Sequence, residues 1–258
     1  MVRGLDIFAD HFSDFKDSYA LIGGAACFLL LSDAGLEFRA TKDLDIVLCM
    51  DEFSADFGQA IWDFIEDGKY STYQSNEGVA HFFRFMKPEN ADYPHLLELF
   101  SRIPDTIELH GDPRYTPIPI DEDVASLSAI LMDGDYYQLV LGGRTEINNA
   151  SIVRSEYLIP LKIKAWIELT DRKNSGTHVD SNDIKKHRND FFRLNQVISP
   201  DSNISLPKAI IGDMIDGMKR LRLEPVLDLK SWGLGNTTVD EVIDTINKIY
   251  GLAGSTTK

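Results

Sequence analysis

Apolar side chains recur at spacings of three and four over residues 4–18, where Leu5, Phe8, Phe12 and Phe15 form one stripe, the period of an amphipathic helix. Residues 19–22 are continuously apolar and predict a short strand, which Gly23-Gly24 breaks. Residues 25–34 then predict a helix stopped near Gly35. A strand follows over 44–50, and an amphipathic helix over 56–67 with Phe57, Ile61, Phe64 and Ile65 on one side. The texture turns to extended segments at 80–86, 96–100 and 106–109. Residues 126–132, 136–141 and 145–153 predict further strands, with tight turns at Asp-Gly-Asp and Gly-Gly. Beyond residue 155 strand signals vanish. Residues 156–171, 180–199, 207–223 and 239–250 predict helices, with Asp180 or Ser181 placed to cap the second. The expected fold is α+β: a mixed sheet flanked by helices over residues 1–154, and a helical region over 155–258.

Composition narrows the function classes. The 258 residues are 43% hydrophobic and 26% charged, which excludes wholesale disorder and fibrous repeats. A formal charge of −15 repels phosphate backbones and anionic lipid, so any nucleic acid must be gripped at a local basic patch. The longest apolar run, residues 19–31, is 13 residues long and contains two glycines, where a membrane span needs about 20. No charged-then-apolar leader opens the chain. The two cysteines, Cys27 and Cys49, lie in apolar stretches and offer neither a disulfide framework nor a metal-ligand spacing. The expected setting is a reducing cytoplasm, away from membranes.

Candidate chemistry lies in Arg39-Ala-Thr41-Lys-Asp43-Leu-Asp45-Ile-Val-Leu. A strand puts alternate residues on one face, so Asp43 and Asp45 point together while Leu44, Ile46 and Leu48 point into the core. Side-by-side carboxylates repel unless a cation lies between them, and Mg²⁺ takes hard oxygen ligands of this kind together with substrate phosphates. Gly23-Gly24 sits where a strand hands over to a helix, a turn whose backbone N–H groups can approach a phosphate. Glu98 is a single acid in an otherwise apolar strand, a position that costs free energy unless something binds it. A phosphate cradle beside three carboxylates suits transfer of a nucleotidyl group.

A diglycine turn, an Asp-x-Asp strand and a later single acid resemble the signature of the DNA polymerase β-type nucleotidyltransferase superfamily. Within it the chain is most similar to the AbiEii-like branch, the toxin-like nucleotidyltransferases of abortive-infection and toxin–antitoxin systems. The closer likeness rests on Ile22-Gly23-Gly24-Ala25-Ala26, on Arg39-x-Thr41-x-Asp43-x-Asp45, and on two later runs, Pro160-Leu-Lys162-Ile-Lys164-Ala165-Trp and Val179-Asp-Ser-Asn-Asp183-Ile-Lys-Lys186. It covers roughly residues 15–200. The resemblance implies that Asp43, Asp45 and Glu98 hold one or two Mg²⁺ ions, and that Gly23 and Gly24 cradle the phosphates of a nucleoside triphosphate, with Arg39 and Thr41 nearby. It also implies that Lys162 or Lys164, with Asp183 and Lys186, belongs to the helical part closing over the nucleotide. The insertion after Arg172 leaves Lys162 and Lys164 equal candidates.

Lys162 and Lys164, two apart on a helix, face different directions. Lys185, Lys186, His187, Arg188 and Arg193 form the densest basic run of an acidic chain, either a solvated helix face or a phosphate-steering patch. Asp183 and Asp190 are seven apart and share a face with Lys186 between them. No His-x-x-x-His pair or nucleophile elbow is present. The expected activity is Mg²⁺-dependent transfer of a nucleoside monophosphate to a hydroxyl acceptor. By resemblance the acceptor is RNA such as a tRNA end, with an antitoxin protein as partner. A sugar or aminoglycoside acceptor, or a non-catalytic module that binds nucleotide or a partner protein, is the alternative.

Overall fold

The structure, a computed structural model, describes residues 2–52, 54–72, 82–101, 130–224 and 227–252. By its internal contacts the chain divides into two compact units, Met1–Met132 with Val140–Arg154, and Asp133–Leu139 with Ser155–Lys258.

The first unit is built on a mixed sheet. Its strands are β1 (Tyr19–Ile22), β2 (Asp43–Leu48), β3 (Ser71–Thr72), β4 (Phe82–Met86), β5 (Leu96–Phe100), β6 (Arg144–Ile147) and β7 (Ala150–Val153), in the order β3-β4-β5-β2-β1-β7-β6. β2 runs parallel to β5 and antiparallel to β1, and β1 runs parallel to β7. Among the described residues the helices α1 (Leu5–His11), α2 (Gly23–Asp33) and α3 (Ala55–Gly68) accompany them. Phe8 and Phe12 near the end of the chain, and Phe57, Ile61 and Phe64 of α3, pack with Ile46, Leu48, Leu97 and Leu99 of the two central strands. The core is strongly aromatic, with Phe8 edge-on to Tyr19 and to Phe64 at 5.3 and 5.6 Å. Because β2 and β5 commit these residues to the core, their alternate residues are turned to the opposite face.

The second unit carries α5 (Ser155–Asn174), α6 (Ser181–Leu194), α7 (Lys208–Leu223) and α8 (Val239–Ile249), and α4 (Gly134–Gly142) begins in it. The side chain of Asp180 accepts the N–H of Asn182 and caps α6. Gly217 lets α7 approach α5 closely, since a Cβ there would lie 2.3 Å from Ile163. Pro160 lies inside α5 and has no N–H to give the carbonyl four residues earlier. That carbonyl, of Glu156, accepts instead from the hydroxyl of Tyr250 at 2.6 Å.

Several expectations need correction. Residues 136–141 are helical within α4, not a strand. Asp-Gly-Asp is the start of that helix, where the carboxylate of Asp133 accepts the N–H of Asp135 at 2.8 Å. Residues 145–153 are two strands joined at Asn148-Asn149, whose φ angles of 49° and 64° make the tight turn. The stripe over 4–18 is interrupted, because α1 ends at His11 and Phe15 departs from helical geometry at φ −118°, ψ 25°. The expected strand at 106–109, and most of that at 126–132, lie outside the described residues. Among the described residues no helix is long and apolar enough to cross a membrane.

Candidate active site

The first unit gathers its chemistry on one face of the sheet. Asp43 and Asp45 alternate with buried Leu44 and Ile46 on β2, and both remain half-buried. Register places Asp45 beside Ile22 on one side and beside Glu98 on the other. Paired residues on neighbouring strands share a face, so Asp43, Asp45 and Glu98 project together. The residue after Ile22 is Gly23, at φ +64°, and a Cβ there would fall 1.7 Å from Oδ2 of Asp45. Glycine is required twice over, by the left-handed backbone and by the space. A Cβ on Gly24 would lie 2.9 Å from Oγ1 of Thr41 and 3.4 Å from a terminal guanidinium nitrogen of Arg39. The start of α2 has no side-chain cap and no acidic residue in its first turn. Thus Gly23, Gly24, Arg39, Thr41, Asp43, Asp45 and Glu98 come together within one unit.

Arg84 is a member of this group that the sequence reading did not single out. It lies opposite Glu98 in the antiparallel β4–β5 pair, and its Nε and Nη2 both donate to Oε1 of Glu98, at 2.9 and 2.6 Å. The available signal was a lone cation in the run Phe-Phe-Arg-Phe-Met. Burial, together with the facing carboxylate of Asp45, pushes the Glu98 carboxyl up to about 7, although Arg84 pulls the other way. The two carboxyl groups are within hydrogen-bonding reach of each other. The donor set, hard oxygens on one face in mutual repulsion, has the chemistry a divalent cation relieves. Among the described residues, however, no group of three or more His, Cys, Asp or Glu side chains is in place to hold a metal ion. Asp43 and Asp45 therefore fit such an ion better than Glu98, whose carboxylate is engaged by Arg84.

The remaining candidates belong to the second unit. Lys162 is 1% exposed and donates to Oδ2 of Asp190, itself 0% exposed, at 3.0 Å. Its ammonium is thus part of the packing between α5 and α6. Lys164, on the other side of α5, is partly exposed and pairs with Asp213 at 3.1 Å and Glu168 at 3.4 Å. Burial opposes its charge, but these carboxylates outweigh burial and hold the ammonium above its usual range. Tyr136 also donates to Asp213, at 2.9 Å. Asp183 and Asp190 stand two turns apart on α6, but Asp183 is exposed and Asp190 is buried, and Asp190 takes Lys162 of α5 as a partner. Nor is the basic run a single charged face. Lys185 is exposed, Lys186 half-buried, His187 buried, and Arg188 is bonded to Glu224, as expected when consecutive residues wind around a helix.

No protein-family model matches the chain, and no curated protein matches it. Among solved structures, an antigenic nucleotidyltransferase-like protein from Paracoccidioides brasiliensis is similar with a TM-score of 0.43 and 17% identity, covering 88% of each chain.

Proposed function

We propose that the chain is a Mg²⁺-dependent nucleotidyltransferase of the DNA polymerase β type, acting on a nucleoside triphosphate and a hydroxyl acceptor. The observation that carries this reading is the contact between Gly23 and Asp45, with Asp43 and Glu98 on the same face. A glycine forced by a carboxylate at the mouth of a helix puts backbone N–H groups beside the acids. An ordinary solvated strand rim has no need of that arrangement.

In this reading Asp43 and Asp45 would hold the cation, and the N–H groups after Gly23 would receive phosphate oxygens. When bound, the cation would neutralise the triphosphate and favour ionisation of the acceptor hydroxyl. The acceptor oxygen bonds to the α-phosphorus, and the bond from that phosphorus to the bridging oxygen breaks, releasing pyrophosphate. The hydroxyl proton passes to the carboxylate of Glu98, or through it to water. Arg39, whose guanidinium lies beside Gly24, would balance phosphate charge. Lys162, Lys164, Asp183 and Lys186 lie in the other unit.

The AbiEii-like resemblance makes RNA the proposed acceptor, with an antitoxin protein as the controlling partner. The charge of −15 leaves a small hydroxyl acceptor as the competing choice. A salt series on tRNA binding separates the two, since RNA gripped by phosphate contacts loses affinity steeply with salt. A non-catalytic nucleotide binder is the second reading, and the engagement of Glu98 by Arg84 favours it. The deciding experiment incubates the chain with each α-labelled triphosphate, Mg²⁺ and total cellular RNA. The expected result is label in RNA and none with Asp45→Asn. Label in neither RNA nor protein, with nucleotide still bound, would establish the non-catalytic reading instead.

A further inference from the structure

Asp43, Asp45 and Glu98 share one half-buried face of β2 and β5 with Arg84 of β4, and the Arg84 guanidinium donates twice to a single oxygen of Glu98. Glu98 consequently stands between Arg84 on one side and Asp45 on the other. Arginine stays charged at any working pH, so this pairing cannot be relaxed by losing a proton. Of the two side chains Arg84 is the more exposed, 26% against 15% for Glu98. The pair is thus built onto an acid that stands directly opposite Asp45 in the β2–β5 register.

We propose that Arg84 is a resident counterion for the acid cluster, a positioning residue that holds Glu98 and competes for its carboxylate with a cation bound at Asp43 and Asp45. The inference rests on the metal-dependent reading above. Arg84 then sets the affinity for the cation: guanidinium and metal compete for the same carboxylate. Removing the guanidinium removes both a repelling charge and a competitor, so the acids should take the metal more tightly. A solely structural ion pair predicts the reverse, because losing it would loosen the strand that carries Glu98.

The test is binding of Mn²⁺ alone to the full-length chain, read by electron paramagnetic resonance and by thermal melting, with Asp45→Asn as the control for adventitious ions. For Arg84→Gln the expected result is a dissociation constant roughly tenfold lower than wild type, from the loss of one nearby positive charge. A larger rise in melting temperature on adding Mn²⁺ should accompany it. Equal or weaker binding by Arg84→Gln, with wild type binding normally, overturns the counterion and leaves the metal site standing. No Mn²⁺ signal above the Asp45→Asn control in either protein removes the metal site itself, and the counterion with it. Should Arg84→Gln not fold, Arg84→Lys carries the test. Its ammonium keeps the charge but loses the fork, so the expected tightening is about twofold to threefold, and unchanged or weaker binding overturns the proposal.

Discussion

Gly23 and Asp45 are fitted to each other so closely that a Cβ on the glycine would lie 1.7 Å from the carboxylate oxygen. The contact follows from topology, because antiparallel pairing sets Ile22 opposite Asp45 and the next residue must turn into α2. Gly23→Ala should therefore fail twice. The left-handed backbone at φ +64° costs about 1–2 kcal/mol for a residue with a side chain, and Asp45 must move as well. The expected outcome is a lowered urea midpoint together with loss of triphosphate binding by Asp45-intact protein. Adding Asp45→Ala should recover part of the stability, since it frees the space but not the backbone. A Gly23→Ala protein as stable as wild type would show that the turn yields, and the site geometry with it.

Much of this site could be read in the chain because alternation is a local signal. Asp43 and Asp45 stand out between Leu44, Ile46 and Leu48, and Glu98 stands out among leucines. Arg84 is set off by its surroundings in the same way, but its partner is fixed by the β4–β5 register, which no nearby residue encodes. Local signals also misled. Tyr-Tyr-Gln-Leu-Val-Leu has strand propensity, yet Tyr136, Tyr137, Leu139 and Val140 are buried on a helix capped by Asp133, a case of tertiary packing overriding a weak preference. The pairing of Lys162 with Asp190 was equally hidden. A spacing of seven places Asp183 and Asp190 on one face of α6, but it carries no sign of a partner from another helix.

That pair makes its own prediction. Lys162 and Asp190 are 1% and 0% exposed, and Arg193 also approaches Asp190 at 3.7 Å. Breaking a buried pair strands a charge, so Lys162→Met should lose about 3–5 kcal/mol by urea unfolding. Lys162→Met with Asp190→Leu should regain most of it, since two apolar groups replace two charges. If the single substitution loses less than about 1 kcal/mol, as at an exposed pair, water must reach Asp190.

Glu98 supplies a pH dependence. Burial and the nearness of Asp45 raise its carboxyl from 4.5 to about 7 in the folded chain. Between those values the folded protein holds a proton that the unfolded chain has released. Stability contributed by this group is therefore full below the lower value and declines as pH rises through the upper one. Urea midpoints of metal-free protein, measured across that window, should fall with rising pH more steeply for wild type than for Glu98→Gln. Matching slopes would mean that Glu98 ionises normally and is not held against Asp45.

Pro160 cannot donate to the Glu156 carbonyl, and the Tyr250 hydroxyl does so at 2.6 Å. Tyr250 is buried, with its phenol raised well above the usual range by that burial and by the nearby charge of Glu156. Tyr250→Phe leaves the carbonyl without a donor and should lose about 1–3 kcal/mol. Pro160→Ala restores a backbone N–H at the position where the helix expects it. In that background Tyr250→Phe should be markedly less damaging, so the two substitutions should couple in a double-mutant cycle. Strict additivity in urea unfolding would mean that the tyrosine stabilises the helix by packing alone, with its hydroxyl irrelevant to the missing helical bond.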